Sequence, residues 1–236
     1  MTRLSILAVL ATLTACGTVH AENAGPNGTR SFQARGFDRV SLRGSDNVVV
    51  KVGSAESVNA TGPQNILDKL KVEVVDGELR IGREKNTWNV SWGDHDPVVV
   101  TVTVPQLRGA SVAGSGDMKV DRVQTASFSG SVAGSGNLAI ATLQADAASL
   151  NIAGSGDASV TGEAKSVDIS IAGSGDLDAK GLKAERAKIS IAGSGDVSAQ
   201  VNGDADVSIV GSGDVVLSGT PRCKVSKMGS GDVKCG

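Results

Sequence analysis

The chain of 236 residues has very few aromatic side chains: three phenylalanines, two tryptophans and no tyrosine. A core without large rings must be thin and filled by Val, Ile, Leu and Ala. Five prolines are too few for a collagen-like helix, despite 31 glycines. Because aromatic rings are scarce and 23 basic residues face 25 acidic ones, nucleic-acid binding by base stacking is disfavoured. A hydrophobic content of 40% at net charge −2 indicates a globular chain rather than a disordered one.

Long apolar runs are also missing, and the run over Leu4–Leu13 is too short to cross a bilayer as a mature helix. It predicts an export signal over residues 1–21. Two cleavage sites are open: a lipobox that ends in Cys16, which would then carry a lipid, and a signal-peptidase site after Ala21. Since Gly17 rather than Asp follows the cysteine, the first alternative favours an outer-membrane lipoprotein that faces the periplasm or the surface. The second gives a periplasmic protein, and in both cases a short linker to residue 31 is expected.

Cysteines are scarce as well, and once the signal is set aside Cys223 and Cys235 remain. An even pair in an oxidising compartment is a disulfide candidate. Both cysteines fall on the same strand parity, so they could face each other across one coil. The alternative is two free buried thiols.

The sequence does contain a repeated four-residue motif, Gly-Ser-Gly followed by Asp or Asn. Its seven copies are separated by 20, 20, 19, 20, 18 and 18 residues. A near-constant period of this size indicates a solenoid. The copies start at Gly114, Gly134, Gly154, Gly173, Gly193, Gly211 and Gly229.

The residues around each copy identify the kind of solenoid. Apolar and polar residues alternate, as in DISIAGSGDLDA, and β-branched residues are frequent. Period-2 alternation predicts strands and excludes helical repeats. The fold prediction is therefore all-β: a single-stranded right-handed β-helix with about 18–20 residues per coil, in which Gly-Ser-Gly-Asp forms a corner that needs positive φ. Seven coils would rise roughly 34 Å. Lys227, where the other repeats have Val or Ile, marks the last coil.

Residues 32–108 show the same alternation of apolar and polar residues, but with weaker repetition. We therefore predict one domain over 32–236, with irregular coils over 32–108 and the regular array over 109–236. Gly44-Ser45-Asp46 looks like a degenerate corner. Asp76-Gly77 indicates a hairpin, and residues 65–70 indicate a short helical turn.

The order of these segments resembles a known bacterial family. The order is FDRV at 37–40, VVVKVG at 48–53, LRI at 79–81, VTVPQL at 102–107 and then the serial Gly-Ser-Gly-Asp words. The chain is similar to the "putative auto-transporter adhesin, head GIN domain" family, over about residues 32–235. This resemblance implies an exported β-helix and supplies no catalytic residues. The chain shows no transporter barrel of its own, so we expect a stand-alone domain.

The candidate site with the most regular pattern is a ladder of acidic corner residues. Neighbouring unit charges about 4.8 Å apart would repel by roughly 0.9 kcal/mol in water, so something must offset the repulsion. One interpretation is an Asx turn, in which each carboxylate accepts amides of its own corner. The other is Ca²⁺ bound between coils, as in nonapeptide β-helices, although the period differs. We favour the first and expect no metal or cofactor. The ladder consists of Asp117, Asn137, Asp157, Asp176, Asp196, Asp214 and Asp232.

A second, outward ladder precedes the corners and suggests a solvated strand face or a hydroxyl-rich binding surface. It consists of Ser111, Ser131, Asn151, Ser170, Ser190, Ser208 and Ser226. Trp88 and Trp92 share one strand face and are either a cap on the amino-terminal end of the core or a docking patch for a partner. His95 lies between two aspartates without the neighbours of a triad or zinc site, so we expect a solvated loop.

These observations favour a non-catalytic β-helical scaffold of the cell envelope or surface that binds an unidentified protein or glycan, and adhesion is one role that such a scaffold could have. The alternative is a carbohydrate-active β-helical enzyme that uses the Asp face on an envelope or matrix polysaccharide. Membrane attachment would depend on the lipid at Cys16. Self-association through exposed edge strands at the ends of the stack is a third hypothesis.

Overall fold

A computed structural model of the chain describes residues 26–83 and 98–236. The described residues are nearly all β, with 73% strand and 2% helix, and their parallel coils stack into a β-solenoid of about six turns. The predicted fold class is therefore confirmed. Cys16, Trp88, Trp92 and His95 lie outside the described residues, so the hypotheses on lipidation, tryptophan docking and the histidine stay predictions.

The amino-terminal part contains short strands and one helical turn. They are β1 (Asn27–Phe32), β2 (Arg39–Gly44), β3 (Asn47–Val52), β4 (Ser57–Pro63), α1 (Gln64–Leu67), β5 (Leu70–Val75), β6 (Glu78–Arg83), β7 (Val99–Val104), β8 (Gly109–Gly114) and β9 (Met118–Val120). The predicted linker to residue 31 is wrong in part, because β1 pairs with β4 in antiparallel register.

The regular array contains longer strands that bend at the corners of the coil. They are β10 (Val123–Gly134), β11 (Leu138–Gly154), β12 (Ala158–Gly173), β13 (Leu177–Gly193), β14 (Val197–Val201), β15 (Asp204–Gly211), β16 (Val215–Gly219), β17 (Arg222–Gly229) and β18 (Val233–Cys235). Equivalent residues of successive coils pair in parallel, for example Val132 with Ile152 and Ile152 with Ile171. This register stacks most inward side chains on their equivalents in the neighbouring coil, with register shifts after Ile140, Ser159 and Ala179.

Small aliphatic side chains fill the inside of the coils, as the scarcity of aromatics predicted. Inward positions such as Ile152, Ile171 and Ile191 are buried, while their sequence neighbours are exposed or half-buried. Phe37 and Phe128 are the buried aromatic residues in the described part of the chain. The core is therefore a continuous column of Val, Ile, Leu and Ala.

The first coils are threaded out of chain order. Strand β2 lies between β6 and β8, parallel to both, and β3 lies between β7 and β9. The chain thus forms the β2–β3 coil, leaves the stack, forms the β6–β7 coil beneath it, and returns above with β8. Alternation along a strand shows which side chains face inward but not which strand lies next to it, so the sequence did not reveal this order.

The amino-terminal end of the stack is covered by antiparallel strands and by α1. Strand β4 pairs antiparallel with β7, and β5 pairs antiparallel with β6. Ile66 and Leu67 of α1 are buried against this end. The hairpin predicted at Asp76-Gly77 is confirmed, since both residues have positive φ, 52° and 74°.

Candidate functional site

The acidic ladder joins successive coils through side-chain hydrogen bonds to the backbone. The amide of Asp176 donates to Oδ1 of Asp157 at 2.9 Å, and the amide of Asp196 donates to Oδ1 of Asp176 at 2.8 Å. The same bond recurs at every step from Asp117 to Asp232. The predicted Asx turn is wrong, because each carboxylate binds the amide of the next coil rather than one of its own corner. These bonds place negative charge against N–H dipoles and so offset the mutual repulsion of the carboxylates.

Asn137 occupies one step of the ladder without a charge. Its side-chain oxygen accepts the amide of Asp157 at 3.1 Å, and its Nδ2 donates to Oδ1 of Asp117 at 2.9 Å. An amide oxygen therefore performs the same bonding task as a carboxylate. Within residues 26–83 and 98–236, no group of three or more His, Cys, Asp or Glu side chains is arranged to hold a metal ion.

The two glycines of each corner are required for different reasons. Gly134 has φ +122°, as the sequence predicted for a corner. Gly136 has no positive φ, but a Cβ there would stand 2.1 Å from the carbonyl oxygen of Gly116 in the preceding coil. The second glycine therefore permits the close approach of neighbouring corners, a cause that sequence reasoning missed.

The ladder begins one corner earlier than the sequence indicated. Oδ1 of Asn47 accepts the amide of Asp117 at 3.1 Å, and Gly44 pairs with Gly114, which confirms the degenerate corner. Asp46, which follows Ser45 where other corners have the second glycine, is fully buried. Its carboxylate is bound by the guanidinium of Arg83, with Nε 2.9 Å from Oδ2.

The outward ladder of serines lies on one continuous sheet face. Its members pair in register from coil to coil, and Oγ of Ser131 donates to Oγ of Ser111 at 3.0 Å. We call this surface the serine face; beside the serine column it carries a second column of apolar side chains, alanine in the first five coils. That column consists of Ala113, Ala133, Ala153, Ala172, Ala192, Val210 and Met228.

A third column of the serine face alternates in charge along the stack. Asp168 pairs with Lys188, which pairs with Asp206, which pairs with Lys224. Opposite charges on directly paired residues of adjacent strands stabilise a sheet. The alternation ends at Lys224, because no further described strand pairs in register with this column beyond β17.

An open groove of about 660 Å³ runs along another edge of the solenoid, across β10 to β13. Ala145, Ala164 and Ala184 lie in register along it. Nζ of Lys165 lies 2.7 Å from the carboxylate of Asp146, and this hydrogen bond raises the pKa of Lys165. The groove is thus a small-residue channel with charged walls.

The carboxyl-terminal coil is closed by covalent and polar contacts. Cys223 and Cys235 are joined in a disulfide, with Cα atoms 6.6 Å apart. Nζ of Lys227 donates to the carbonyl oxygen of Gly231 at 2.9 Å. Arg222 lies 2.8 Å from the carboxylate of Asp204 and lowers its pKa by that hydrogen bond.

The sequence over residues 36–221 matches the family described as "Putative auto-transporter adhesin, head GIN domain". The chain belongs to this family. No curated protein matches it. Among solved structures, the GIN-family chain is similar to a putative adhesin of Bacteroides fragilis NCTC 9343, with 24% identity, 89% of this chain and 96% of that one covered, and a TM-score of 0.77.

Two further solved structures share the fold of this GIN-family chain. A putative lipid binding protein of Parabacteroides distasonis ATCC 8503 has 25% identity and a TM-score of 0.70, with 91% and 98% of the two chains covered. A putative adhesin of Parabacteroides merdae ATCC 43184 has 17% identity and a TM-score of 0.68, with 89% and 96% covered. In the described part of the chain, no helix is long and apolar enough to span a membrane.

Proposed function

We propose that this GIN-family protein is an exported, non-catalytic scaffold of the cell envelope or surface that binds a partner through its solenoid and thereby acts in adhesion. The observation that carries the proposal is the serine face, a regular outer surface whose columns continue in register over all the coils of the array. Membership of an adhesin-like family supports it.

Rigidity suits the structure to this role. Backbone bonds at the corners, side-chain bonds of the acidic ladder and an aliphatic core all link each coil to the next. A surface whose side chains are already ordered loses little conformational freedom when it binds. The repeated columns would therefore present many equivalent small contacts to an extended or repetitive partner.

The direction of tethering supports the same role. The amide of Gln64 donates to the carbonyl of Pro26 at 3.1 Å, so the described chain begins beside α1 at the amino-terminal end of the stack. If Cys16 carries a lipid, the chain leads from that anchor to this end of the stack. The inside of the solenoid is filled by side chains, so a lipid ligand of the kind named for the Parabacteroides neighbour would have to bind on the outside.

Crosslinking in intact cells tests the proposal. Cysteines introduced at Ser170 or Ser190, on the serine face, would carry a photo-crosslinker, and one at Gln124, on the groove edge, would serve as the matched control. We expect a partner protein or glycan captured from the serine face. Cleavage of envelope or matrix polysaccharide by the purified protein would contradict the proposal and favour the enzyme alternative.

A further inference from the structure

The last described coil makes no hydrogen bond to a further described coil at the positions that join the earlier coils. Each first corner glycine from Gly44 to Gly211 accepts amide hydrogen bonds on its carbonyl from the next coil, for example Ser230 on Gly211 at 3.0 Å. Gly229 is the last of the series, and no described coil follows it. In the described part of the chain, the carboxylate of Asp232 likewise accepts no amide of a following coil, and its one partner is Lys227, at 3.3 Å.

Among the described residues, no strand pairs with the backbone of β17 on the side away from β15 either. Arg222 donates its amide back to Gly203 at 2.8 Å, and within residues 26–83 and 98–236 the residue register of β17 is with β15 alone. Since backbone groups alternate sides along a strand, the amides and carbonyls of Cys223, Val225 and Lys227 point towards the open end. A strand of another chain could continue the sheet there, which is the mode called β-augmentation.

Charge at this end favours an acidic occupant. Residues 222–236 contain four basic side chains and one acidic one, whereas the whole chain has a net charge of −2. The alternating column of the serine face ends on Lys224, so the next residue in register would be acidic if the alternation continued. Lys224 and Lys234 have no acidic partner within 4.0 Å among the described residues.

Apolar side chains near the same edge define the rest of the partner. Met228 is 73% exposed, Val210 is 54% exposed and Val225 is 43% exposed, and Met228 and Val210 are directly paired. The disulfide between Cys223 and Cys235 holds β17 and β18 together. The edge is therefore an ordered template with both charged and apolar contacts.

We propose that the carboxyl-terminal coil binds an extended acidic strand of a partner protein, which adds to β17 with an acidic side chain beside Lys224 and an apolar one beside Met228. This deepens the proposed binding function by naming a partner class and a place. A second copy of the same edge is a poor occupant, since like charges directly opposite destabilise a sheet. The basic residues thus discourage self-pairing, as lysines on edge strands commonly do, and attract an acidic strand.

The test uses the full mature protein and two synthetic peptides. The probe DVEVTSVG places acids beside Arg222 and Lys224 and valine beside Met228, and KVKVTSVG is its charge-reversed control. We expect saturable binding of the acidic peptide by isothermal titration calorimetry, weakened by salt, and no binding of the basic one.

Three variants locate the binding. Lys224→Glu should weaken the acidic peptide about fivefold, and Val225→Pro should weaken it about tenfold or more, because it removes an edge amide that the fold does not use. Lys188→Glu makes the same charge change in the same column but inside the stack, and should leave binding unchanged. Circular dichroism and thermal melting establish that each variant keeps its fold.

Several outcomes would overturn the proposal. They are no binding of the acidic peptide up to about 1 mM, equal binding by the wild type, Lys224→Glu and Val225→Pro, or binding of the basic peptide. If the protein binds phosphatidylglycerol vesicles but not the acidic peptide, the ligand of this coil is an anionic membrane and not a protein strand. The serine-face crosslinking can also be repeated in Lys224→Glu and in Val225→Pro. If both variants still capture the same partner, the proposed binding function stands, and only the proposed site on β17 is wrong.

Discussion

The backbone amide of Asp196 donates to the carboxylate of Asp176, which lies one coil earlier, at 2.8 Å. Repeated along the stack, this bond makes the acidic corner residue a connection between coils. A pattern that resembles a metal-binding ladder in the sequence is, in the structure, a second row of hydrogen bonds beside the backbone ladder. Each residue of the acidic ladder can therefore be tested by a single substitution.

Removing one carboxylate should weaken the stack, whereas an amide should replace it. We expect Asp176→Ala to lower the free energy of unfolding by about 1 kcal/mol, because the Asp196 amide loses its acceptor. Asp176→Asn should change it by less than half of that, since Asn137 already performs this role. Urea unfolding measures both. Glu163→Ala removes an exposed carboxylate that makes neither a ladder bond nor an ion pair within 4.0 Å, and an equal loss in that variant would contradict the prediction.

A methyl group at the second corner glycine should be strongly destabilising. A Cβ at residue 136 would clash with the Gly116 carbonyl oxygen at 2.1 Å. Both groups belong to the backbone of hydrogen-bonded corners, so neither can shift without distorting the coil. We expect Gly136→Ala to cost about 3 kcal/mol or more. Gly53→Ala is the matched control, because a Cβ there meets only the Thr103 methyl, at 3.1 Å. Similar melting temperatures for the two variants would show that the corner tolerates a side chain.

Calcium should not stabilise the protein. Each ladder oxygen Oδ1 from Asp117 to Asp214 is already bound to an amide, and a ligand that binds only the folded state would raise the melting temperature. Differential scanning calorimetry with millimolar Ca²⁺ or with chelator should give the same transition. An increase that follows the calcium concentration would restore the metal interpretation.

The thiols of Cys223 and Cys235 should be absent from the purified protein. Thiol counting after denaturation without reductant should detect neither, and both after reduction. The bridge closes a segment with a sequence separation of 12, so replacing both cysteines with serine should cost about 2–3 kcal/mol. Two reactive thiols in the unreduced protein would support the alternative of free cysteines.

Acid should remove a contribution of Glu78 to stability. The hydrogen bond from Arg80 lowers the pKa of Glu78 from its usual 4.5, although burial opposes this. Because the pKa is lower in the folded state, the stabilisation is present above the unfolded-state pKa and is lost as the pH falls through the folded-state pKa. Glu78→Gln should therefore flatten the decline in unfolding free energy between neutral and acidic pH. Glu163→Gln, which removes a carboxylate without an ion pair within 4.0 Å, should leave the slope as it is in the wild type.

Several features of the candidate sites needed information that lies outside local sequence. In the sequence, Asp46 stands where a regular corner has its second glycine. The structure shows that its buried carboxylate is paired with Arg83, which is 37 residues away. The insertion of the β2–β3 coil between two later coils likewise follows from which strands meet. The unpaired edge of β17 was foreseeable in outline, because Lys227 marks the last coil, but its charge complementarity emerges only once Lys188, Asp206 and Lys224 stand in one column.

The sequence by itself determined the coil. Period-2 alternation assigns each side chain to the inside or the outside, the spacing of the Gly-Ser-Gly words sets the length of a turn, and the scarcity of rings follows from a narrow core. Only the tertiary structure decided which groups in neighbouring coils bind each other, because hydrogen bonds depend on register across strands. The carboxylate of Asp176 could have turned back to its own corner; its place beside the next coil gives it the amide of Asp196 instead.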